Sequence, residues 1–333
     1  MSYSRPARRV CAYRPRFEVL EARHLLSTYV VDRLTDTGAG SGLAGDLRYC
    51  IDQAADGDAI TFGVTGTIQL TGALPDLTHS ISMEGPGADL LTVRGRGYES
   101  DPYNFRVFTV LEGATVSISG LTITNGYAPY DGYSEDANLG GGIANFGTLT
   151  LSNSTVTGNR VDSCWNPNGC FDVTAPTSGG GIFNGNAAGT AVLTLINSTV
   201  SHNYAYAEGL GTSGGGIANG VSVDDYRYPL GGTVILSNST VSGNHTDSSG
   251  GGGGIYNLGS STTLTIANST IAGNVSGNGV GGISNHSHNA FSGFRQIRLG
   301  PRRSGSARSD DRLGNQLAAG AARRAAAAVL PVE

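Results

Sequence analysis

The side chains able to do chemistry in this chain are mostly tyrosines and carboxylates, gathered in polar stretches between regular runs. Tyr127, Tyr130, Asp131, Tyr133, Glu135 and Asp136 form one group, and Tyr204, Tyr206 and Glu208 a second. Asp224, Asp225, Tyr226 and Tyr228 form a third, while Asp162, Asp172 and Asp247 stand in further stretches. Tyrosine rings stack on sugars and carboxylates accept hydroxyl hydrogen bonds, so these types suit a neutral glycan. Grouped carboxylate oxygens also suit Ca²⁺. The plain alternative is solvated loops. His202, His245, His286 and His288 are dispersed and nominate no general base. Cys164 and Cys170 flank a Pro-Asn-Gly turn; in an exported chain they are expected to form a disulfide, and with no His near they are too few for a zinc site.

What positions these stretches is a repeat. Gly-Gly-Gly-Ile-x-Asn occurs four times, ending at Asn145, Asn184, Asn219 and Asn257, with a weaker copy at Asn285. Each of the four leads to an Asn-Ser-Thr triplet, at Asn153, Asn197, Asn238 and Asn268, and six residues later comes another Asn, at Asn159, Asn203, Asn244 and Asn274. Self-similarity at tens of residues signals a repeat architecture. Before each triplet, Leu149/Leu151, Leu193/Leu195, Val234/Leu236 and Leu264/Ile266 alternate with mostly Thr or Ile. Period two means strand. One more apolar residue follows each triplet (Val156, Val200, Val241, Ile271), and the Gly-Ile box supplies another. The unit reads as three short strands with three Asn corners: one coil of a three-faced parallel solenoid with aliphatic columns inside. Because the triplet-to-Asn distance never varies, insertions are confined to the stretches beside the box.

The triplets also match the Asn-x-Thr glycosylation pattern. The fixed six-residue offset favours a structural role, since Asn tolerates left-handed backbone at corners and stacked amides can bond along a ladder. The glycine runs precede strands instead of helices, which argues against phosphate cradles.

Degenerate coils extend upstream through Val116, Ile118 and Ile123, then Ile81 and Met83, then Ile60 and Ile68. A solenoid end must be covered. Residues 46–56 predict a capping helix, with Asp46 as N-cap, Leu47, Cys50, Ile51 and Ala54 on one face, and Gly57 at the stop. Cys50 reads as a buried small hydrophobe.

All 21 basic residues are Arg, six before residue 28 and eight after 290. Between them, seven Arg face 21 acids, a formal charge of −14. Such a rod repels phosphate backbones, so nucleic acid is not an expected partner. No apolar run is long enough for a membrane-spanning helix.

Residues 1–27 combine an Arg-rich start with Leu20-Glu-Ala-Arg-His-Leu-Leu-Ser27. This resembles the Leu-Glu-Pro-Arg-x-Leu-Leu leader of large bacterial exported proteins, with Ala22 in place of Pro. The Asp36-Thr-Gly-Ala-Gly-Ser41 stretch, Glu84 to Val93, Gly113 to Gly126 and the four repeats resemble bacterial right-handed parallel β-helix surface proteins, in the style of polymorphic outer-membrane repeats. The resemblance covers about residues 17 to 290. It implies export directed by residues 1–27 and an all-β, right-handed parallel β-helix over 28–290. From 291 an Arg- and Ala-rich stretch replaces the pattern, read as an irregular tail outside the solenoid, either disordered or the product of a frameshift. The coil before it would be poorly covered and prone to end-to-end association.

β-Helices also host polysaccharide lyases and glycoside hydrolases, whose sites need paired carboxylates, or clustered carboxylates on Ca²⁺ with an Arg or Lys base. The strands between 140 and 274 are expected to carry no ionisable side chain. The functional expectation is therefore a secreted or cell-surface structural or adhesive module, non-catalytic and without a resident cofactor, meeting a glycan or surface partner through the Tyr and Asp stretches. A carbohydrate-active enzyme using loop carboxylates is the alternative.

Overall fold

A computed structural model describes residues 26–97, 104–129, 138–162, 177–206, 212–220, 230–247, 251–259, 261–277, 280–286, 292–295 and 298–299. The chain winds as a parallel β-helix. Each central coil contributes, in chain order, a box strand such as Ile143–Asn145, a longer strand such as Thr148–Ser152, and a third such as Thr155–Thr157. Each pairs in register with its counterparts one coil away, so Ile143 lies between Phe108 and Ile182, and Leu149 between Val116 and Leu193. The long ladder holds eleven strands, the third ladder eight and the box ladder six. Alternation follows directly: Leu149, Leu151 and Val156 are buried, with the threonines between them half-exposed. Stacking these inward residues makes one continuous aliphatic core from Val31 to Ile283. Each fully buried Leu, Ile or Val contributes about 1.5–3 kcal/mol relative to exposure.

The three asparagine stations do different jobs. Asn153, Asn197, Asn238 and Asn268 are exposed at left-handed corners, with φ of 49°, 50°, 51° and 49°. A short polar side chain tolerates this conformation, and Gly120 takes the same position one coil earlier at φ 64°. By contrast, Asn145, Asn184, Asn219 and Asn257 are buried, each Nδ2 donating to the next Oδ1 at 2.7, 2.8, 2.6 and 2.7 Å, ending on Asn285. A second amide ladder runs from Asn159 through Asn203 and Asn244 to Asn274 at 3.0, 2.9 and 2.9 Å. In it each Oδ1 also accepts the backbone N–H of the previous Asn, and Nδ2 reaches a main-chain carbonyl such as that of Val156.

The box glycines belong to that second ladder. A Cβ on Gly181 would lie 2.7 Å from the Gly216 carbonyl oxygen and 2.8 Å from Asn203 Nδ2. Gly216 and Gly254 stand in the same relation to Asn244 and Asn274. The two motifs recur together because the backbone of one lies against the amide of the other. The middle residue of each triplet adds a ladder that sequence reading missed: Ser154, Ser198, Ser239 and Ser269 are buried, and each Oγ accepts an N–H from the preceding coil while donating to a carbonyl in its own.

Three expectations need correction. A fourth ladder follows the third Asn of each coil, built from Tyr127–Pro129, Arg160–Asp162, Tyr204–Tyr206, His245–Thr246 and Val275–Ser276. It escapes periodicity because each strand is two or three residues long and turns one small residue inward, with Ala128, Val161 and Ala205 forming their own cluster. The strands between 140 and 274 therefore do carry ionisable groups, among them Arg160, Asp162, Tyr204, Tyr206 and His245. Strand pairing also continues past residue 290: Ser292–Arg295 joins the long ladder through a register shift and Arg298–Leu299 joins the third. Ladder hydrogen bonds require extended backbone and not apolar side chains, so an Arg-rich stretch can add rungs that sequence pattern does not mark.

The cap is shorter than 46–56. Helix α1 spans Leu47–Gln53, with Asp46 accepting from the Tyr49 N–H and Leu47, Cys50 and Ile51 buried. Asp58 ends it early by accepting from the N–H groups of Ala55 and Ser27, which draws Ala54 into extended conformation. Asp36, wholly buried, is gripped by Arg48 through two bonds of 2.9 Å and by Thr71.

Candidate functional site

The fourth ladder places most of the described polar chemistry on one surface. Its register sets Arg160, Tyr204 and His245 in one outward column next to the fully buried Tyr127, and pairs the buried Asp162 with Tyr206 in a second that leads to Asp247. Outward direction follows from the buried residue between each pair. Arg160 donates to Asp162 at 2.6 Å, and its guanidinium lies 4.5 Å from the Tyr204 ring centre and 5.9 Å from that of Tyr206. Burial pulls the Arg160 pKa down, but the hydrogen bond and charge of Asp162 outweigh it and leave it raised.

Tyr204 lies at the centre of this arrangement. Its ring is nearly parallel to that of Tyr206, at 6.3 Å and 15°, and nearly perpendicular to His245, at 5.2 Å and 77°. The Tyr204 hydroxyl donates to Asp247 Oδ2, and His245 Nε2 lies 2.7 Å from Asp247 Oδ1. Burial, followed by the hydrogen bond and negative charge of Asp247, pushes the Tyr204 phenol well above its ordinary value. It is a fixed donor and not a base. The groups of this surface are largely engaged with one another, and one face of Tyr204 already carries a cation.

Of the sequence-derived candidates, Tyr204 and Tyr206 meet here. Tyr130, Asp131, Tyr133, Glu135, Asp136, Asp224, Asp225, Tyr226 and Tyr228 lie outside the described residues, as do Cys164 and Cys170. Their points of departure are described. Residues 130–137, 163–176 and 207–211 each follow a fourth-ladder strand, and those strands stack in register. Residues 221–229 instead follow the box strand Ile217–Asn219 and its Gly220, at a different junction. The acidic Tyr stretches thus depart from two different junctions, one before and one after the box strand in the chain. Arg160 and His245 were not legible as site residues, and Asp247 only as one more loop acid, because only the register of a ladder hidden from periodicity assembles them.

Elsewhere, an open hollow of about 380 Å³ is lined by Leu111, Glu112, Phe146, Asn186, Ala187 and Leu230. Its Asn186 is held by the Phe146 carbonyl and Thr190, leaving, among the described residues, one carboxylate and no partner for acid–base work. Among the described residues no group of three metal-ligating side chains is found, and no helix is long and apolar enough to cross a membrane. No protein-family model matches the chain, and a search of curated proteins finds no match either.

Proposed function

We propose that this chain is a secreted or cell-surface β-helix acting as a non-catalytic structural and adhesive module, with an extracellular glycan as its partner. The observation that carries the proposal is the state of the fourth ladder. Its ionisable groups stabilise one another across coils instead of standing ready for proton transfer, on a frame made rigid by neutral amide ladders. Tyr206 and the Tyr- and Asp-bearing stretches that leave beside it would make the glycan contacts. Binding of the full chain to an array of neutral and acidic glycans is the test. Retention of a neutral glycan, weakened by Tyr206→Ala and by Asp131→Ala with Asp136→Ala, is the expected result, without release of shortened sugars. Uniform failure to bind would remove the adhesive half of the proposal.

The carbohydrate-active alternative has one feature in its favour. Asp162 lies two rungs from the Asp247 position, roughly 9.6 Å along the ladder, near the upper limit of the spacing used for inverting hydrolysis. Against it, Asp162 is buried under Arg160 and Asp247 is held by Tyr204 and His245. Glycan turnover abolished by Asp247→Asn would favour the enzyme.

A further inference from the structure

The third ladder presents a face of a different kind. Its register sets Thr92, Thr122, Thr155, Thr199, Thr240 and Thr270 in one unbroken column. Two residues on, Thr124, Thr157, Ser201 and Ser242 form a second, in which Ser201 is nearly buried and donates to the Thr157 hydroxyl at 3.2 Å. The residues between them, including Ile123, Val156, Val200 and Val241, are buried, so both columns point outward. Rungs repeat at ~4.8 Å and the columns stand roughly 6.6 Å apart, giving a two-dimensional grid of hydroxyl groups. The Thr155, Thr199, Thr240 and Thr270 hydroxyls make no hydrogen bond to any described residue, in contrast to Thr122, which donates to the Ala88 carbonyl.

Three further properties define what could lie on this grid. From Thr122 to Ala272 the strands of the third ladder carry no charge and no aromatic ring. The corners flanking it are fixed in length in every central coil, so no insertion arises beside it to cover it. The serine ladder on one side and the second asparagine ladder on the other hold the rungs at constant spacing. A complementary surface must therefore be flat, uncharged, able to exchange hydrogen bonds with hydroxyls, and periodic in two directions. Sugar polymers are ordinarily gripped by aromatic platforms, which this face lacks.

We infer that this face docks on a crystalline water lattice, that is, on ice. Oxygen repeats on an ice face lie near both the rung and the column spacing. Water held by the threonine hydroxyls, with their methyl groups between, is thereby placed close to lattice positions before contact. Preorganisation of this kind lowers the ordering cost of docking. The inference is independent of the glycan reading, which concerns the fourth ladder.

Nanolitre osmometry and ice-crystal imaging on the full chain test it. The native chain is expected to shape growing ice and to separate its freezing and melting points. Thr199→Tyr and Thr240→Arg should abolish both effects. Thr263→Tyr, outward on the long ladder, should leave them unchanged, with circular dichroism confirming that all three variants are folded. Absence of ice shaping by the folded native chain would overturn the inference, as would shaping that survives both column variants. Adsorption to crystalline cellulose in place of ice, lost in the same variants, would assign the face to a polysaccharide; pairing of copies through it without any effect on ice would assign it to self-association. Either outcome overturns the ice reading.

Discussion

Between Ser27 and Asp58 the chain is fastened by carboxylates, whereas from Asn145 to Asn285 it is fastened by neutral amides and hydroxyls. At the first end Asp46 collects the N–H groups of Thr37, Ala39 and Tyr49, Asp58 collects those of Ser27 and Ala55, and Asp36 grips Arg48 and Thr71. In the repeats the same need, satisfying main-chain donors at corners, is met by Asn and Ser side chains that both donate and accept. The difference follows from periodicity. A group stacked on copies of itself every ~4.8 Å cannot be charged without repelling its neighbours, while a cap occurs once and can use the stronger charge-assisted bond.

The largest effect that would sharpen this contrast is expected at the cap. Asp36→Ala leaves the largely buried Arg48 guanidinium on the Gly72 and Ala73 carbonyls without its counter-charge, and breaking such a pair costs about 3–5 kcal/mol. Because coils interact mainly with their neighbours, urea unfolding should split into an early cap transition and a later repeat transition; a single transition shifted as a whole would show that the two regions are not separable.

Asn203→Ala comes next. It leaves the buried Asn159 N–H without its acceptor and removes one of two partners from both the Asn159 amide and the Asn244 oxygen, at a cost of about 1–3 kcal/mol from the buried group left unpaired. Here the repeat transition should move and the cap transition should not. Gly181→Ala drives a methyl group against the Gly216 carbonyl and Asn203, with overpacking costing about 1–3 kcal/mol. If calorimetry found it harmless, the coupling of glycine box to amide ladder would be wrong.

Acid should separate the regions without mutation. Asp46 is pushed upward by its burial, but the N–H groups of Tyr49, Thr37 and Ala39 more than compensate and hold its pKa below the ordinary carboxylate value. A depressed folded pKa contributes stability above the unfolded pKa, and that contribution is lost as pH falls through the folded value. Cys50 reports the loss, since burial, then the charges of Asp46 and Asp32, push its thiol up to about 11 and shield it from reagents at neutral pH. Dithiodipyridine should label Cys50 in acid before the β-sheet circular dichroism of the repeats declines; simultaneous change would refute the ordering. The smallest effect is expected at the exposed corner, where Asn197→Gly should change stability by only a few tenths of a kcal/mol, because glycine accepts φ near 50° without strain.

Much of this was legible residue by residue. The inward Leu and Val positions, the Asp46 N-cap and the winding of the long ladder follow from alternation and spacing, which are local properties of the chain. The Asn-Ser-Thr triplet shows where local information ends. Sequence marks all three residues as recurrent, yet Asn153 proves to be an exposed left-handed corner, Ser154 a buried donor and acceptor, and Thr155 one point of an outward grid. Only the coils above and below decide this, since the inter-coil partners of these side chains lie 30 to 47 residues away.

The same limit governs the fourth ladder. Arg160, Tyr204, His245 and Asp247 look like unrelated loop residues until parallel register places them on successive rungs. By itself the sequence determined that the chain coils, what fills the coil and where insertions are tolerated, because burial patterns repeat within a few residues. Tertiary structure alone decided which polar groups neutralise one another and which face is left with free hydroxyls, because both depend on contacts between coils.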